Sequence, residues 1–224
     1  KPADLISVHP PVRKLLLRMK SNISGARMLQ LDTALQMDLA KTSESAAAWV
    51  SLMTNIVKAH VTELGSAITD DAIQLFGGMG YVEETGIARH YRDVRVTRIY
   101  EGTNQIQAVT LFRQMKHLPI FVKRIEDYIT TATLKPFATN LRAALDNVTQ
   151  TAETLTAKGA EEFASGAEEL LELIAITALA YYHAQAAEED ASRKAEAEFY
   201  HAHILVNHHS LAKRALAGLD TLTI

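Results

Sequence analysis

A lone carboxylate beside a glycine, Glu101-Gly102, sits in the string Arg-Ile-Tyr-Glu-Gly-Thr-Asn-Gln-Ile-Gln at residues 98–107. Gly102 has no side chain to hold a ligand away from the backbone. The helix expected after Thr103 brings free N–H groups and the positive end of its dipole. A base placed there suits proton removal from a carbon next to a carbonyl, where negative charge grows on the oxygen. A glutamate whose own backbone N–H faces that oxygen meets both needs. Upstream, residues 74–81 read Gln-Leu-Phe-Gly-Gly-Met-Gly-Tyr, a corner with few side chains to exclude a flat or charged ligand. Taken singly, both strings are weak. A glutamate in a turn is most often solvated, and Gly-Gly-x-Gly is most often a helix end.

Two other groups invite a chemical reading. Arg89, Arg92, Arg95 and Arg98 recur every third residue and could face phosphates. Ion pairing to Glu83, Glu84 and Asp93 is the favoured reading. His201, His203, His208 and His209 suggest a metal, yet no two are four apart and no carboxylate joins them in zinc-protease spacing. No metal site is expected, and His209, on an apolar stripe, reads as a core residue.

These residues must be positioned by helices, since no convincing two-residue alternation occurs anywhere. Pro10-Pro11 suits a helix start. Val12, Leu16, Met19, Ile23, Ala26, Leu29 and Thr33 then recur at steps of three and four. Ser43-Glu44-Ser45 opens a second helix, with Val50, Val57, Val61, Leu64, Ile68, Ala72 and Leu75 on one face and Gly77-Gly78 at its end. Residues 84–93 read as a short helix. Thr103 is a plausible N-cap for a helix over about 104–116. His117-Leu118-Pro119 punctuates the chain, and helices follow over about 120–132, 137–157, 161–190 and 192–218. The 161–190 segment is apolar over most of its circumference, so it is expected at the centre of the second half with its neighbours around it. The 192–218 segment carries Phe199, Ala202, Leu205, His209, Ala212, Leu216 and Leu219 as its stripe.

Composition narrows the class. Of 224 residues, 48% are apolar and 22% charged, enough for a real core. A formal charge of −3 gives no electrostatic footprint for nucleic acid. The absence of cysteine excludes disulfides and thiolate metal sites. The run 173–182 is too short to span a bilayer. The first residues look like neither a signal nor a transit peptide, and no initiator methionine is present, so the chain is expected to be part of something longer.

Gly25-Ala26-Arg27, Gln74–Tyr81, Arg92-Asp93 and Tyr100–Gln107, at their spacing, together resemble the C-terminal domain of the acyl-CoA dehydrogenases. The likeness covers roughly residues 9–117. It implies an all-α fold, with a helical bundle at 1–118 and a second helical module at 119–224. That second part is similar to the extension of longer members, a group that includes the 3-methylmercaptopropionyl-CoA dehydrogenases. Val8–Arg13 looks like the start of the domain's second helix. The first helix and two preceding domains would then lie elsewhere, and this chain alone would be inactive.

The resemblance also implies chemistry: FAD-dependent desaturation of an acyl-CoA to trans-2-enoyl-CoA, with Glu101 as base. It implies Gly102 as a substrate backbone contact, and Thr103 and Gln105 as flavin contacts. Gln74, Leu75, Phe76, Gly77 and Gly78 would lie against the FAD of a neighbouring copy, in a homodimer or dimer of dimers. Electron-transfer flavoprotein would take the electrons. The setting would be cytoplasmic, or the mitochondrial matrix in a eukaryote, with no nucleic acid and no membrane insertion. Isovaleryl and long-chain branches replace this glutamate; here it is kept. Two rivals are an acyl-CoA oxidase, whose relatives read Glu-Gly-Asp at 101–103, and a non-catalytic scaffold, which would have lost the glutamate.

Overall fold

The computed structural model describes residues 5–223, which hold ten α-helices and no strand. α1 (Pro10–Leu39) starts on the two prolines, and α2 (Glu44–Phe76) starts on Ser43, whose hydroxyl accepts from the Ala46 N–H at 3.3 Å. At 33 residues, α2 is roughly 50 Å long. Gly77, at φ +62°, ends it. A tight corner follows: α3 (Gly78–Tyr81), a 3₁₀ turn at Glu83–Thr85, and α4 (Ile87–Arg95) entered through left-handed Gly86. The corner folds back so closely that a Cβ on Gly80 would collide with the Ile73 carbonyl. The short helix expected at 84–93 is therefore split, because Gly86 breaks it.

α5 (Asn104–Gln114), α6 (Leu118–Thr131), α7 (Lys135–Ala157) and α8 (Ala160–Glu189) complete most of the fold. Phe163, Leu170, Ile174 and Leu179 of α8 have no exposed surface. α8 packs on α7 as expected, and also on α1, α2 and α5. Its apolar circumference thus serves the whole molecule, not the second half alone. A single cluster of buried apolar side chains runs from Leu29 to Ala215, straight across residue 118. Close approach helps: a Cβ on Gly25 would sit 2.8 Å from the Leu179 side chain, so α1 lies tight against α8 only because residue 25 has none.

Three stripes need correction. α1 buries Ser21, Asn22, Gly25, Ala26, Leu29 and Thr33, leaving Leu16 and Ile23 exposed. Apolar residues lie on both sides of this helix, and its small residues select the packed face. α2 buries Trp49, Leu52, Met53, Ile56, Ala59 and His60, one step round from the expected stripe, which forms the half-buried flank. The last segment is not one helix. α9 (Lys194–His203) and α10 (His208–Ala215) are separated by a 3₁₀ turn at Leu205–Asn207, with Ile204 at φ −118°. The break shifts the phase, so Tyr200, His201, His208 and Leu211 are buried while His209 is exposed.

Candidate active site

Among the described residues Glu101 is the only non-glycine with positive φ, at +56°. A side chain in that left-handed region costs about 1–2 kcal/mol, and such strain persists only where surroundings enforce it. Two braces do so, one from α5 backed by α2 and one from α2 itself. Gln107 donates Nε2–H to the Glu101 carbonyl at 2.8 Å, and Asn55 donates to Gln107 Oε1 at 2.6 Å, fixing the amide's orientation. Lys58 Nζ donates to the Gly102 carbonyl at 2.7 Å and to Asn104 Oδ1 at 2.8 Å. Burial lowers the Lys58 ammonium below the usual lysine range, against the opposing fields of Glu63 and Glu101.

Below the turn, buried Asn104 donates to the Ala59 carbonyl at 3.2 Å and to Glu63 Oε1 at 2.8 Å. Arg98 donates to the same Glu63 oxygen at 2.8 Å. Thr103 caps α5, its hydroxyl accepting from the Ile106 N–H at 3.3 Å. Gly102 stands at φ +81°, and a Cβ there would come within 3.1 Å of Gln107 Nε2. Neither Glu101 nor Gly102 gives its N–H to an acceptor among the described residues. Successive free N–H groups in a turn of this kind form an anion-binding concavity. The exposed Glu101 side chain thus shares a turn with two unpaired backbone donors.

The sequence missed Asn55, Lys58, Asn104, Gln107 and Glu63 as parts of this site. A faint signal exists: Asn55, Lys58 and Thr62 form a polar line at steps of three and four on a mostly apolar helix. Their partners lie more than forty residues away in sequence, so spacing alone could not join them.

The other expected residues divide. Gln105 donates to Glu168 of α8 at 2.9 Å. Gln74 and Phe76 are exposed and Leu75 is half-buried. Gly77 and Gly78 have open space where a Cβ would stand. This corner does not meet the Glu101 turn within one chain. Lys58, which holds the turn, and Gly77, which caps α2, lie nineteen positions apart along that helix, roughly 28 Å.

In the arginine series, Arg92 pairs with Glu83 through two bonds of 2.8 and 2.9 Å, and Arg98 pairs with Glu63 on α2. No cluster of three metal-ligating side chains occurs among the described residues. A groove of about 830 Å³ lies elsewhere, between α6 and α7, and contains none of the motif residues. No helix among the described residues is long and apolar enough to cross a membrane.

Comparison with known proteins agrees on the family. Residues 3–116 match the family model described as "Acyl-CoA dehydrogenase, C-terminal domain", and residues 121–223 match "Acetyl-CoA dehydrogenase C-terminal like". The chain is 40% identical over 105 residues to 3-methylmercaptopropionyl-CoA dehydrogenase of Ruegeria pomeroyi, covering 45% of this chain and 18% of that protein. It is 40% identical over 96 residues to the mitochondrial short-chain specific acyl-CoA dehydrogenase of Bos taurus, covering 43% and 22%. The matched stretch is thus about a fifth of these relatives' length. Among solved structures, Caenorhabditis elegans ACDH-11 in complex with C11-CoA superposes with a TM-score of 0.78 at 22% identity, covering 89% of this chain and 37% of that one. An acyl-CoA dehydrogenase from Bacillus anthracis complexed with FAD gives 0.74 at 16% identity, covering 96% and 43%. At such identities the likeness speaks for the all-α fold. With its first half matched by the family's own C-terminal domain, the chain belongs to the acyl-CoA dehydrogenase family.

Proposed function

We propose that this chain is the C-terminal part of an FAD-dependent enzyme that desaturates an acyl-CoA thioester to the trans-2-enoyl-CoA, with Glu101 as general base. The observation that carries this reading is the left-handed backbone of Glu101, held by Lys58 and Gln107. An exposed carboxylate maintained in a strained turn beside free N–H groups is poorly explained by folding alone. In the proposed step the Glu101 carboxylate takes the α-proton, and its N–H steadies the negative charge on the thioester oxygen. Gly102 lets the substrate lie against the backbone. Bound FAD would supply the acceptor for the β-hydride.

The residues present fit such a group. At Gly77 and Gly78 the backbone is bare and nothing stands within 4 Å of a notional Cβ, beside the half-exposed ring of Phe76. Gln74, Leu75, Phe76, Gly77 and Gly78 would hold the flavin of a neighbouring copy, while Thr103 and Gln105 would face the chain's own. The separation of the two elements along α2 supports a site shared in a homodimer or dimer of dimers. Electron-transfer flavoprotein is the proposed acceptor, in the cytoplasm or, in a eukaryote, the mitochondrial matrix. Thr103 in place of the oxidase aspartate favours a dehydrogenase, and retention of Glu101 argues against a scaffold.

The test is Glu101→Gln in the full-length protein, followed by anaerobic flavin bleaching. Turnover is expected to fall by about 10²–10⁴-fold, since the amide cannot accept a proton, while flavin content and acyl-CoA binding persist. Turnover within a few-fold of wild type would place the base elsewhere.

A further inference from the structure

Lys58 has an unusual assignment for a lysine on the flank of a long helix. Its two hydrogen bonds go to neutral oxygens of one turn, the Gly102 carbonyl at 2.7 Å and Asn104 Oδ1 at 2.8 Å. Asn104 is buried, and its amide is committed to α2 through the Ala59 carbonyl and Glu63. The ammonium therefore ties the Gly102 side of the turn to a side chain already fixed to the helix. On the Glu101 carbonyl, Gln107 acts as a second tie, itself oriented by Asn55. Together these span both carbonyls of the two consecutive residues with positive φ.

Were the ammonium absent, the Gly102 carbonyl and Asn104 Oδ1 would be left as facing acceptors, with only the Thr62 hydroxyl, at 3.2 Å, reaching the second. Two lone-pair oxygens repel, and the left-handed residues would be free to relax. Lysine suits this place because a compact charge on a flexible stem can sit between two oxygens.

We propose that Lys58 is a positioning residue: by bridging Gly102 and Asn104 it holds the Glu101 carboxylate and its N–H in the geometry that proton transfer requires. This rests on the reading of Glu101 as base. Small displacements of a catalytic group cost rate without loss of binding, so the effect should fall on kcat rather than on KM.

Two measurements on Lys58→Met test it. In the full-length protein without substrate, amide hydrogen exchange over residues 99–107 should quicken by about fivefold or more as the turn opens, with exchange in α8 unchanged. In the full-length protein kcat should fall by about tenfold or more, with flavin content and KM for acyl-CoA preserved, and Lys58→Arg should recover part of the loss. Either an unchanged exchange rate or an unchanged kcat overturns the proposal. Should Lys58→Met fail to fold, Lys58→Gln, shorter and uncharged, is held to the same two outcomes. Exchange reports Lys58's grip without any turnover. Failure of the Glu101 reading would show instead as an active Glu101→Gln variant.

Discussion

At the residue scale, the left-handed Glu101 shows that a local cost is tolerated where Gln107 of the following helix and Lys58 of α2 enforce it. The string around it was readable because glycine, threonine and glutamate are adjacent in sequence. Its braces were not, because Lys58 and Asn55 reach it only once α2 and α5 are packed. A second residue-scale cost lies just beneath. His60 is buried with no partner for Nε2, and burial pushes its pKa down to about 4 from 6.5. The imidazole is therefore neutral in the folded protein. Its contribution to stability is intact above pH 6.5 and is lost as pH falls toward 4, because only the unfolded chain takes up the proton. Between pH 7.5 and 5 this amounts to about 2 kcal/mol. His60→Leu should reduce the fall in unfolding free energy over that interval by about this amount, as measured by urea denaturation. An unaltered pH slope would show that His60 is charged or hydrated in the fold.

At the element scale, α1, α2, α6 and α8 meet at one polar node. Arg124 of α6 donates twice to Asp32 of α1, at 2.8 Å each, and lies 4.2 Å over the Trp49 ring of α2. Tyr182 of α8 donates its hydroxyl to Asp32 at 2.7 Å. Burial alone would raise the Asp32 carboxyl, but Arg124 and Tyr182 hold it below the ordinary range. Removing the guanidinium leaves the half-buried Asp32 carboxylate without its cation, with the Tyr182 hydroxyl as its remaining strong partner, so Arg124→Met should cost about 3 kcal/mol at neutral pH. Since a depressed carboxyl stabilises the fold above its unfolded pKa and loses this on acidification, the penalty should shrink below about pH 4. Equal denaturation midpoints for wild type and variant at pH 7 would refute the node's importance. Asp32 and Arg124 lie 92 residues apart in sequence, and nothing in their surroundings pairs them. The helices themselves were legible from Pro10-Pro11, Ser43, Thr103 and Gly77. The buried face of α1 was not, because its deciding contact is the absent side chain of Gly25, which a hydrophobic pattern does not register.

At the scale of the whole molecule, two sequence regions are joined by one core, and one helix face is left outside it. Leu31, Leu35 and Leu39 of α1, four residues apart on one face, are 68%, 55% and 45% exposed. Apolar patches of this kind mark association surfaces, consistent with the proposed homo-oligomer. Leu31→Asp combined with Leu35→Asp should lower the oligomer fraction seen by sedimentation without changing helix content. An unmoved distribution would assign that face to something other than a second copy. A last consequence belongs to α2. Because one unbroken helix carries both the braces of the Glu101 turn and the Gly77 corner, it acts as a gauge in length and in angle. Inserting a single residue between Thr62 and Gln74 would advance the corner by about 1.5 Å and swing it by about 100°. The corner would then point in a different direction relative to the Glu101 turn, although every side chain of both motifs remained. Substitutions at its exposed positions leave that spacing intact, whereas a change in residue count does not, so insertions and deletions should be far rarer there than in the loops at either end.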